Sequence, residues 1–359
     1  MKMVKHTKQL KYQIIIDYVT NRIMTGEYQA NTRIPSENEF ARMLDVSSIT
    51  IRKALSDLVN EGLIYRVKGK GSFISDQQQK TARAEHALAA FLIAANIHDG
   101  SVMKIIKGMQ NKLSEAGFSL IVENLTNYIN QEKQVIDRLM ENRVAGFIVY
   151  PDLPANAEAL RYLGTLSVPF VVLDRYPKGQ PVNFVGCNNF DGARAGASHL
   201  ISLGHEKIGF LAHTITLSSE KERYEGYVDA MQAASLPVKA ERLFTEEAAD
   251  WDKIAECVQN ASLTALVCVN DLRAFQVMDN LIARGISIPG DLSVVGFDNA
   301  DFAAHALVPI TTVRQSFQDL GYAGAQLLLD IRKNTRLQNT RILLGTELII
   351  RKSTRRLIV

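Results

Sequence analysis

The fold of the N-terminal part is decided by two neighbouring stretches, Ile-Pro-Ser-Glu-Asn-Glu at residues 34–39 and Val-Ser-Ser-Ile-Thr-Ile-Arg-Lys-Ala-Leu at residues 46–55. Ser36 and Glu39 have the spacing of a capping box, in which each side chain satisfies a free backbone N–H at the start of a helix. A helix is therefore predicted to begin at Ser36. Ser47 can cap the next helix. Two short helices joined by so short a turn are typical of a helix-turn-helix.

The segments on either side complete this unit. Apolar residues recur at helical spacing between residues 12 and 24, which predicts a first helix before the capping box. After the third helix, residues 63–67 and 72–74 flank Lys-Gly-Lys-Gly at residues 68–71. Apolar runs on both sides of such a tip predict a hairpin with a basic, glycine-rich turn. The order of elements is that of a winged helix-turn-helix.

The third helix combines an apolar face with a polar and basic face. Its inward face consists of Ile51, Leu55, Leu58 and Val59. Its opposite face near the N-terminus consists of Ser48, Ile49, Thr50, Arg52 and Lys53. These are residue types that reach base edges and phosphates, and the N-terminus of a helix favours an anion. The pattern predicts that this helix binds DNA.

The distribution of charge supports a polyanionic partner only weakly. The first 80 residues carry 13 Lys and Arg against 8 Asp and Glu, whereas the whole chain has a net charge of +3. Basic character therefore lies at the N-terminal end, where a polyanion would bind. Solvated surfaces often have the same charge, so a small helical domain with a surface hairpin is the alternative.

The quoted motifs, with Glu-Gly-Leu-Ile at residues 61–64 and Gly-Lys-Gly-Ser-Phe-Ile at residues 69–74, resemble the GntR family of winged helix-turn-helix regulators over residues 10–75. The resemblance implies a double-stranded DNA operator as the partner and a hairpin that enters the minor groove. The predicted DNA-binding residues are Glu37, Ser47, Ser48, Ile49, Thr50, Arg52, Lys53, Lys68, Gly69 and Lys70. Ser48 stands where the family usually has an arginine, so the operator sequence is not predicted.

The rest of the chain alternates short apolar strands with helices of 10 to 15 residues. The predicted strands are residues 88–95, 119–123, 146–149, 170–173, 207–211, 266–269 and 293–297. The predicted helices are residues 102–116, 130–141, 192–203, 223–234 and 275–284. This alternation predicts an α/β domain of parallel sheets flanked by helices, with ligands at the carboxyl ends of the strands. The domain is too long for one doubly wound unit, so two lobes are expected. The predicted boundaries are residues 1–75 for the DNA-binding domain, 76–86 for a linker and 87–359 for the second domain.

Polar side chains follow several of the predicted strands, including Asp174 and Arg175, Asn270, and Asp298. Carboxylates, amides and arginines at such a position can bind the hydroxyl groups of a sugar. Taken singly, an Asp after a strand is more often a helix cap or a turn residue. No phosphate loop, G-x-S-x-G or H-E-x-x-H motif occurs, and the three cysteines lack metal-binding spacing, so neither a metal, a cofactor nor an enzymatic activity is expected.

Seven motifs between residues 88 and 355 resemble the effector domain of the LacI/GalR regulators, which is similar to periplasmic sugar-binding proteins. They lie at residues 168–175, 192–205, 222–227, 269–271, 288–298, 311–313 and 347–353. His199 and His205 belong to this structural signature and are not expected to act as catalytic bases. The effector contacts that the resemblance implies are His98, Asp99, Asp174, Arg175, Arg223, Trp251, Asn270, Asp298 and Gln315.

A GntR-type head on a LacI-type effector domain is also the architecture of Gram-positive regulators of arabinose use. L-arabinose is therefore the first candidate effector, with fucose, ribose and other monosaccharides as alternatives. The expected protein is a homodimeric repressor that binds a palindromic operator. It is expected to be cytoplasmic, since no signal peptide and no apolar stretch of membrane-spanning length occurs. A sugar-processing enzyme and a solute-binding transport protein are the rival interpretations.

Overall fold

A computed structural model describes residues 14–23, 25, 27–44, 46–60, 63–75, 87–94, 100–125, 131–152, 157–177, 179–213, 215–245, 250–334 and 337–357. The chain divides into two compact units, Met1–His86 and Ala87–Val359. We call the first unit the head. The predicted linker at residues 76–86 lies outside the described residues.

Within its described residues, the head has three helices and one hairpin. Helix α1 includes residues 14–23, α2 spans Glu37–Leu44 and α3 spans Ser48–Asn60. Strands β1 (Ile64–Val67) and β2 (Gly71–Ile74) pair antiparallel. This is the predicted winged helix-turn-helix.

Local hydrogen bonds explain where the helices of the head begin. The backbone N–H of Ser36 donates to Glu39 Oε2 over 2.7 Å, and the N–H of Glu39 donates to Ser36 Oγ over 3.3 Å. These two bonds form the predicted capping box. The N–H of Thr50 donates to Ser47 Oγ over 3.4 Å at the start of α3. A single buried apolar cluster then packs the helices and the hairpin together, including Ile15, Val19, Ile34, Phe40, Ile51, Leu55, Leu58, Ile64 and Ile74.

The second unit contains two six-stranded sheets, each of which forms one lobe. The strands of the first lobe are β3 (Ala87–Ile93), β4 (Phe118–Asn124), β5 (Val144–Tyr150), β6 (Phe170–Leu173), β7 (Phe184–Cys187) and β13 (Arg341–Leu344). Those of the second lobe are β8 (Ile208–Leu211), β9 (Leu243–Phe244), β10 (Ala265–Cys268), β11 (Ser293–Asp298), β12 (Thr311–Arg314) and β14 (Glu347–Ile349).

Nearly all strand pairs in these sheets are parallel. The order is β13-β7-β6-β5-β3-β4 in the first lobe and β14-β12-β11-β10-β8-β9 in the second. Among the strands that the structure describes in these two sheets, β14 alone runs antiparallel to its neighbour, β12. Parallel sheets need helices on their faces, and the helices are α4 (Gly100–Glu115), α5 (Glu132–Glu141), α6 (Ala157–Thr165), α7 (Asn189–Ser202), α8 (Ser218–Ala233), α9 (Asp250–Gln259), α10 (Asp271–Ala283) and α11 (Phe317–Lys333).

The helices of one lobe are not all consecutive in the chain. Helix α11 packs with α4 in the core of the first lobe, together with Phe91 and Ile148. The contact is close, since a Cβ on Gly108 of α4 would lie 1.9 Å from the carbonyl oxygen of Gln318. The chain therefore passes between the lobes after β7, after β12 and after β13.

The structure extends the predicted alternation of strands and helices. The elements not predicted from periodicity are helices α6, α9 and α11 and strands β7, β9, β12, β13 and β14. The predicted helices at residues 192–203 and 223–234 begin earlier than expected, at Asn189 and Ser218. The two-lobed α/β architecture itself is confirmed.

Candidate functional site

The candidate DNA-binding surface of the head is the exposed face of α3. Ser47, Ser48, Arg52 and Lys53 are exposed, and Ile49 is 76% exposed. Thr50 differs from the prediction: it is only 8% exposed, and its hydroxyl lies 2.9 Å from Ser47 Oγ. The cause is helical spacing, because Thr50 lies on the same face as the buried Ala54 and Leu58, four and eight residues further on.

Glu37 connects two arginines at the edge of this surface. Its Oε2 lies 3.1 Å from Arg52 Nε, and its Oε1 lies 3.4 Å from Arg66 Nη2 on β1. The arginine side chains are 68% and 44% exposed. Glu37, predicted to face the operator, therefore holds the guanidinium groups of α3 and of the hairpin near each other. Sequence reasoning did not single out Arg66, since only the folded hairpin brings it beside Glu37.

The tip of the hairpin has the predicted basic character. Lys68, Gly69 and Lys70 are exposed, and the N–H of Lys70 donates to the carbonyl of Val67 over 3.0 Å. Gly69 and Gly71 have φ angles of 78° and 114°, in the region that favours glycine. The turn thus projects two lysines from a narrow tip, as approach to a DNA backbone requires.

In the second unit, the candidate effector residues lie at the carboxyl ends of strands from both lobes. Asp174 and Arg175 follow β6, Asn270 follows β10, Asp298 ends β11, and Gln315 follows β12. Parallel strands in an open sheet present this edge to ligands. These positions at the carboxyl ends of strands agree with the sequence-based prediction.

Asp174 and Arg175 form the first-lobe side of the site. Asp174 is 4% exposed, and its Oδ1 has no hydrogen-bond partner among the described residues. Its Oδ2 lies 3.4 Å from Arg175 Nε, and the Arg175 guanidinium lies 5.4 Å from the centre of the Tyr150 ring. Burial, and then the nearby Asp174 carboxylate, raise the pKa of the Tyr150 hydroxyl, which keeps it protonated as a donor. This side of the site offers both a buried acceptor and buried donors.

Arg223 is a buried cation of the second lobe. Its Nε donates to Asn189 Oδ1 over 2.9 Å, and its Nη1 donates to the carbonyl of Val269 over 2.7 Å. Nη1 also lies 3.4 Å from Asp298 Oδ1, and the guanidinium stacks 3.8 Å from the centre of the Phe297 ring. Several fixed partners hold the planar group in one orientation, as recognition of hydroxyl groups requires.

Gln315 joins this network from the segment that crosses back to the first lobe. Its Nε2 donates to Asp298 Oδ1 over 2.6 Å. The side chain is 5% exposed, and its Oε1 has no hydrogen-bond partner among the described residues. Buried polar atoms without partners are uncommon in folded proteins, so such an atom suits a place where a ligand or water binds.

The charged groups from both lobes converge on one point, the thiol of Cys187 at the end of β7. Burial raises the pKa of this thiol to about 12, and the charges of Asp174, Arg223 and Asp298 all act on it. The carboxylates favour the neutral thiol and the guanidinium opposes them. Residues from two separate sheets therefore surround a common centre.

A cavity of about 400 Å³ opens beside this centre, between the lobes. Its lining combines Ser101, Lys104 and Phe317 of the first lobe with Asn270, Leu272, Asp298 and residues 300–302 of the second. Lys104 Nζ lies 2.5 Å from Asp301 Oδ1, so an ion pair joins the lobes at the edge of the cavity. The volume is within the range of small-molecule sites.

The remaining predicted contacts have varied positions. Asn270 lines the cavity but also caps α10, since its Oδ1 accepts from the N–H of Arg273 over 2.9 Å. Trp251 lies in the first turn of α9 and packs, partly buried, against the apolar core of the second lobe. His98 and Asp99 lie outside the described residues. The effector roles of these four residues stay predictions.

Asp271, which was not predicted as a site residue, lies directly behind the site. It is fully buried, and burial followed by the charge of Asp298 raises its pKa to about 7. Thr312 Oγ1 donates to its Oδ1 over 2.5 Å, and the N–H of Ala300 donates to its Oδ2 over 2.7 Å. Its position directly after Asn270 was the one signal in the sequence that could have indicated a role in the site. Its hydrogen-bond partners could not be predicted, because they lie 29 and 41 residues away in the chain.

His199 and His205 each lie within hydrogen-bond distance of neighbouring groups in the second lobe. His199 Nε2 lies 3.1 Å from Thr354 Oγ1. The two ring nitrogens of His205 lie 3.1 Å from Thr264 Oγ1 and 3.0 Å from the carbonyl of Arg355. Burial lowers the pKa of both rings. Within the described residues, no group of three or more His, Cys, Asp or Glu could hold a metal ion, and no helix could cross a membrane.

Comparison with known proteins bears on both units. A model of bacterial regulatory proteins of the gntR family matches residues 11–74, and a model of the periplasmic binding protein-like domain matches residues 197–354. The HTH-type transcriptional repressor PurR of Haemophilus influenzae (strain PittEE) is 30% identical over 261 residues, which cover 70% of this chain and 77% of that protein. The chain belongs to the same family of bacterial transcriptional repressors. Its head is of the GntR type.

Two further relatives extend the likeness over most of the chain. The arabinose metabolism transcriptional repressor of Geobacillus stearothermophilus is 28% identical over 364 residues, which cover 96% of this chain and 98% of that protein. A solved complex of the transcriptional regulator CelR with cellobiose has a TM-score of 0.67 and 22% identity, and covers 86% of this chain and 91% of that one. The resemblance of the head to GntR regulators and of the second unit to LacI-type regulators is confirmed.

Proposed function

We propose that this repressor binds operator DNA through its head and that a monosaccharide in the cleft of the second unit controls this binding. The observation that carries the effector site is the pair of buried acceptors without partners, Asp174 Oδ1 and Gln315 Oε1, beside the fixed guanidinium of Arg223. Acceptors and donors that converge from two lobes suit a ligand with hydroxyl groups on several sides.

L-arabinose is the effector that we propose first. A relative that matches nearly the whole chain is named an arabinose metabolism repressor, and the Asp174–Arg175 pair resembles the pentose-binding LacI-type regulators. L-fucose and D-ribose are the next candidates. The relatives are transcriptional regulators, and we propose that this chain likewise releases no product from its ligand and acts on the chromosome in the cytoplasm.

Titration calorimetry with a panel of monosaccharides tests the site. We expect one sugar to bind the wild-type protein and Asp174→Asn to weaken that binding about tenfold or more, because a hydrogen bond to a buried charged group is lost. Asp252→Asn is the matched control, since Asp252 is an exposed carboxylate of α9 that pairs with Arg284 over 2.7 Å. Equal losses in the two variants would place the site elsewhere.

The regulatory part of the proposal needs DNA. An operator selected from a random duplex pool allows its affinity to be measured by fluorescence anisotropy with and without the bound sugar. We expect the sugar to change operator affinity by about 5- to 150-fold, the usual scale of such coupling. An unchanged operator affinity at saturating sugar would contradict sugar control. Release of a chemically altered sugar would instead revive the enzyme interpretation.

We further propose that the repressor is a homodimer, because a palindromic operator offers two half-sites to two heads. Sedimentation velocity should show a dimer, and a wild-type monomer would contradict the proposal.

A further inference from the structure

The turn that follows β11 has an unusual backbone. Asp298 and Asn299 have φ angles of 110° and 54°, although neither residue is a glycine. Asn adopts a φ near 54° more readily than most residues, but a φ of 110° at Asp298 lies beyond the left-handed helical region and requires support from the surrounding structure. Because the turn includes Asp298, whatever holds its backbone also sets the position of a proposed effector contact.

Two side chains hold the backbone N–H groups of this turn. The N–H of Asn299 donates to Thr312 Oγ1 over 3.3 Å, and Thr312 Oγ1 in turn donates to Asp271 Oδ1. The N–H of the next residue, Ala300, donates directly to Asp271 Oδ2 over 2.7 Å. Two consecutive amides of the turn are therefore fixed by one carboxylate and by the hydroxyl that it orients.

Gly296 of β11 leaves space for this carboxylate because it has no side chain. A Cβ on Gly296 would lie 2.2 Å from Asp271 Oδ1, so any other residue at this position would displace the carboxylate. From the other side, Arg351 Nη2 donates to Asn299 Oδ1 over 2.6 Å. The groups around the turn thus come from α10, β11, β12 and the C-terminal segment.

Asp271 links two of the proposed effector contacts. It follows Asn270 directly at the start of α10, and its carboxylate holds the turn that contains Asp298. We propose that Asp271 is a positioning residue of the effector site, which fixes Asp298 relative to Asn270 without touching the ligand. This inference rests on the proposed function for its ligand, but the geometry of the turn is independent of it.

Two pairs of variants separate the loss of the hydrogen bonds from a general loss of structure. Asp271→Ala removes both acceptors, whereas Asp271→Asn keeps an acceptor for Ala300 and offers an amide donor to Thr312. Thr312→Val removes the hydroxyl with little change of shape, whereas Thr312→Ser retains it. Asp279→Asn, an exposed change on the same helix, is the control.

Hydrogen exchange and calorimetry are the two measurements. In Asp271→Ala and Thr312→Val, amides 299 and 300 should exchange about fivefold faster or more, since a hydrogen bond is lost. Affinity for the sugar that the wild type binds should fall about tenfold in Asp271→Ala and about fivefold in Thr312→Val. Asp271→Asn should lose less sugar affinity than Asp271→Ala, and the sugar affinities of Thr312→Ser and Asp279→Asn should stay near that of the wild type. Operator affinity without sugar should not change in any variant.

The outcomes distinguish this inference from the proposed function. If no sugar binds the wild type, sugar control fails, while the exchange of amides 299 and 300 still decides whether Asp271 holds the turn. If exchange at the turn is unchanged in Asp271→Ala and Thr312→Val, or if sugar affinity does not follow the loss of protection, Asp271 is not a positioning residue. If Asp271→Ala does not fold, the Val and Ser variants at Thr312 carry the test alone.

Discussion

Lys70 at the tip of the hairpin gives the sharpest test of how the head binds DNA. It is exposed between Gly69 and Gly71, and we expect it to neutralise one phosphate. Each neutralised phosphate contributes about −0.9 to the slope of log affinity against log salt concentration. A dimer presents two hairpins, so Lys70→Gln should make this slope less negative by about 1.8. Between about 50 and 200 mM salt, the wild type should then lose about tenfold more affinity than the variant.

Arg52→Gln should have a larger effect at low salt because of its partner. Arg52 and Arg66 both pair with Glu37, at 3.1 Å and 3.4 Å. Removal of Arg52 therefore eliminates a cation and also leaves the Glu37 carboxylate less neutralised, close to the phosphates. We expect operator affinity at low salt to fall in the order wild type, Lys70→Gln, Arg52→Gln.

The assay is fluorescence anisotropy of a labelled duplex at four salt concentrations, with sugar affinity measured in parallel. Lys239→Gln is the control, since Lys239 is a half-exposed cation of the second unit that pairs with Glu241 over 3.5 Å. Wild-type slopes in both Lys70→Gln and Arg52→Gln would refute the proposed surface. A loss of sugar affinity in either variant would show that the effect is not confined to the head.

Three further predictions concern the second unit. Lys104→Glu and Asp301→Lys each break the exposed ion pair between the lobes, and each should weaken sugar binding about two- to fivefold. The double variant restores an ion pair of reversed polarity and should restore sugar affinity. Calorimetry that shows simply additive losses in the double variant would contradict this prediction. Gly296→Ala should weaken sugar binding about as much as Asp271→Ala, since its Cβ would lie 2.2 Å from Asp271 Oδ1; wild-type affinity would show that the carboxylate tolerates displacement. The pKa of Asp271 is raised from 3.8 to about 7, so the folded state binds the proton more tightly, and this stabilisation is complete below about pH 4 and lost as the pH rises through about 7. The melting temperature of the wild type should therefore fall relative to Asp271→Asn over that interval, and a constant difference would contradict the raised pKa.

The head could be predicted almost completely because its signals are local. The capping box at Ser36 and Glu39 and the glycine-rich tip of the hairpin each specify their own geometry within a few residues. Thr50 was misjudged although its signal was present, since it is four residues before the buried Ala54. The ion pairs of Glu37 were not predictable, because β1 reaches α2 only in the folded unit.

In the second unit, local sequence patterns predicted the type of sheet but not how its elements pair. Alternation of strands and helices predicted the parallel sheets, but not that α11 returns to the first lobe or that β13 and β14 complete different sheets. These pairings are determined by contacts between distant parts of the chain, and a strand as short as β9 carries almost no periodic signal. Asp271 was missed for the same reason, since both of its partners belong to other elements.

The arrangement of the two lobes offers a physical route by which the proposed effector would act on the second unit. Asp174 belongs to the first lobe, Asp298 to the second, and Gln315 to a crossing segment that already bonds Asp298. A ligand that bonds both carboxylates gains both contacts only at one separation of the lobes, so its binding energy favours that separation over others. The turn at Asp298 must then be rigid, because a mobile carboxylate would bond the ligand equally well at several separations and would transmit no preference. By this argument Asp271 contributes to regulation as well as to affinity: it converts contact with the ligand into a constraint on the lobes.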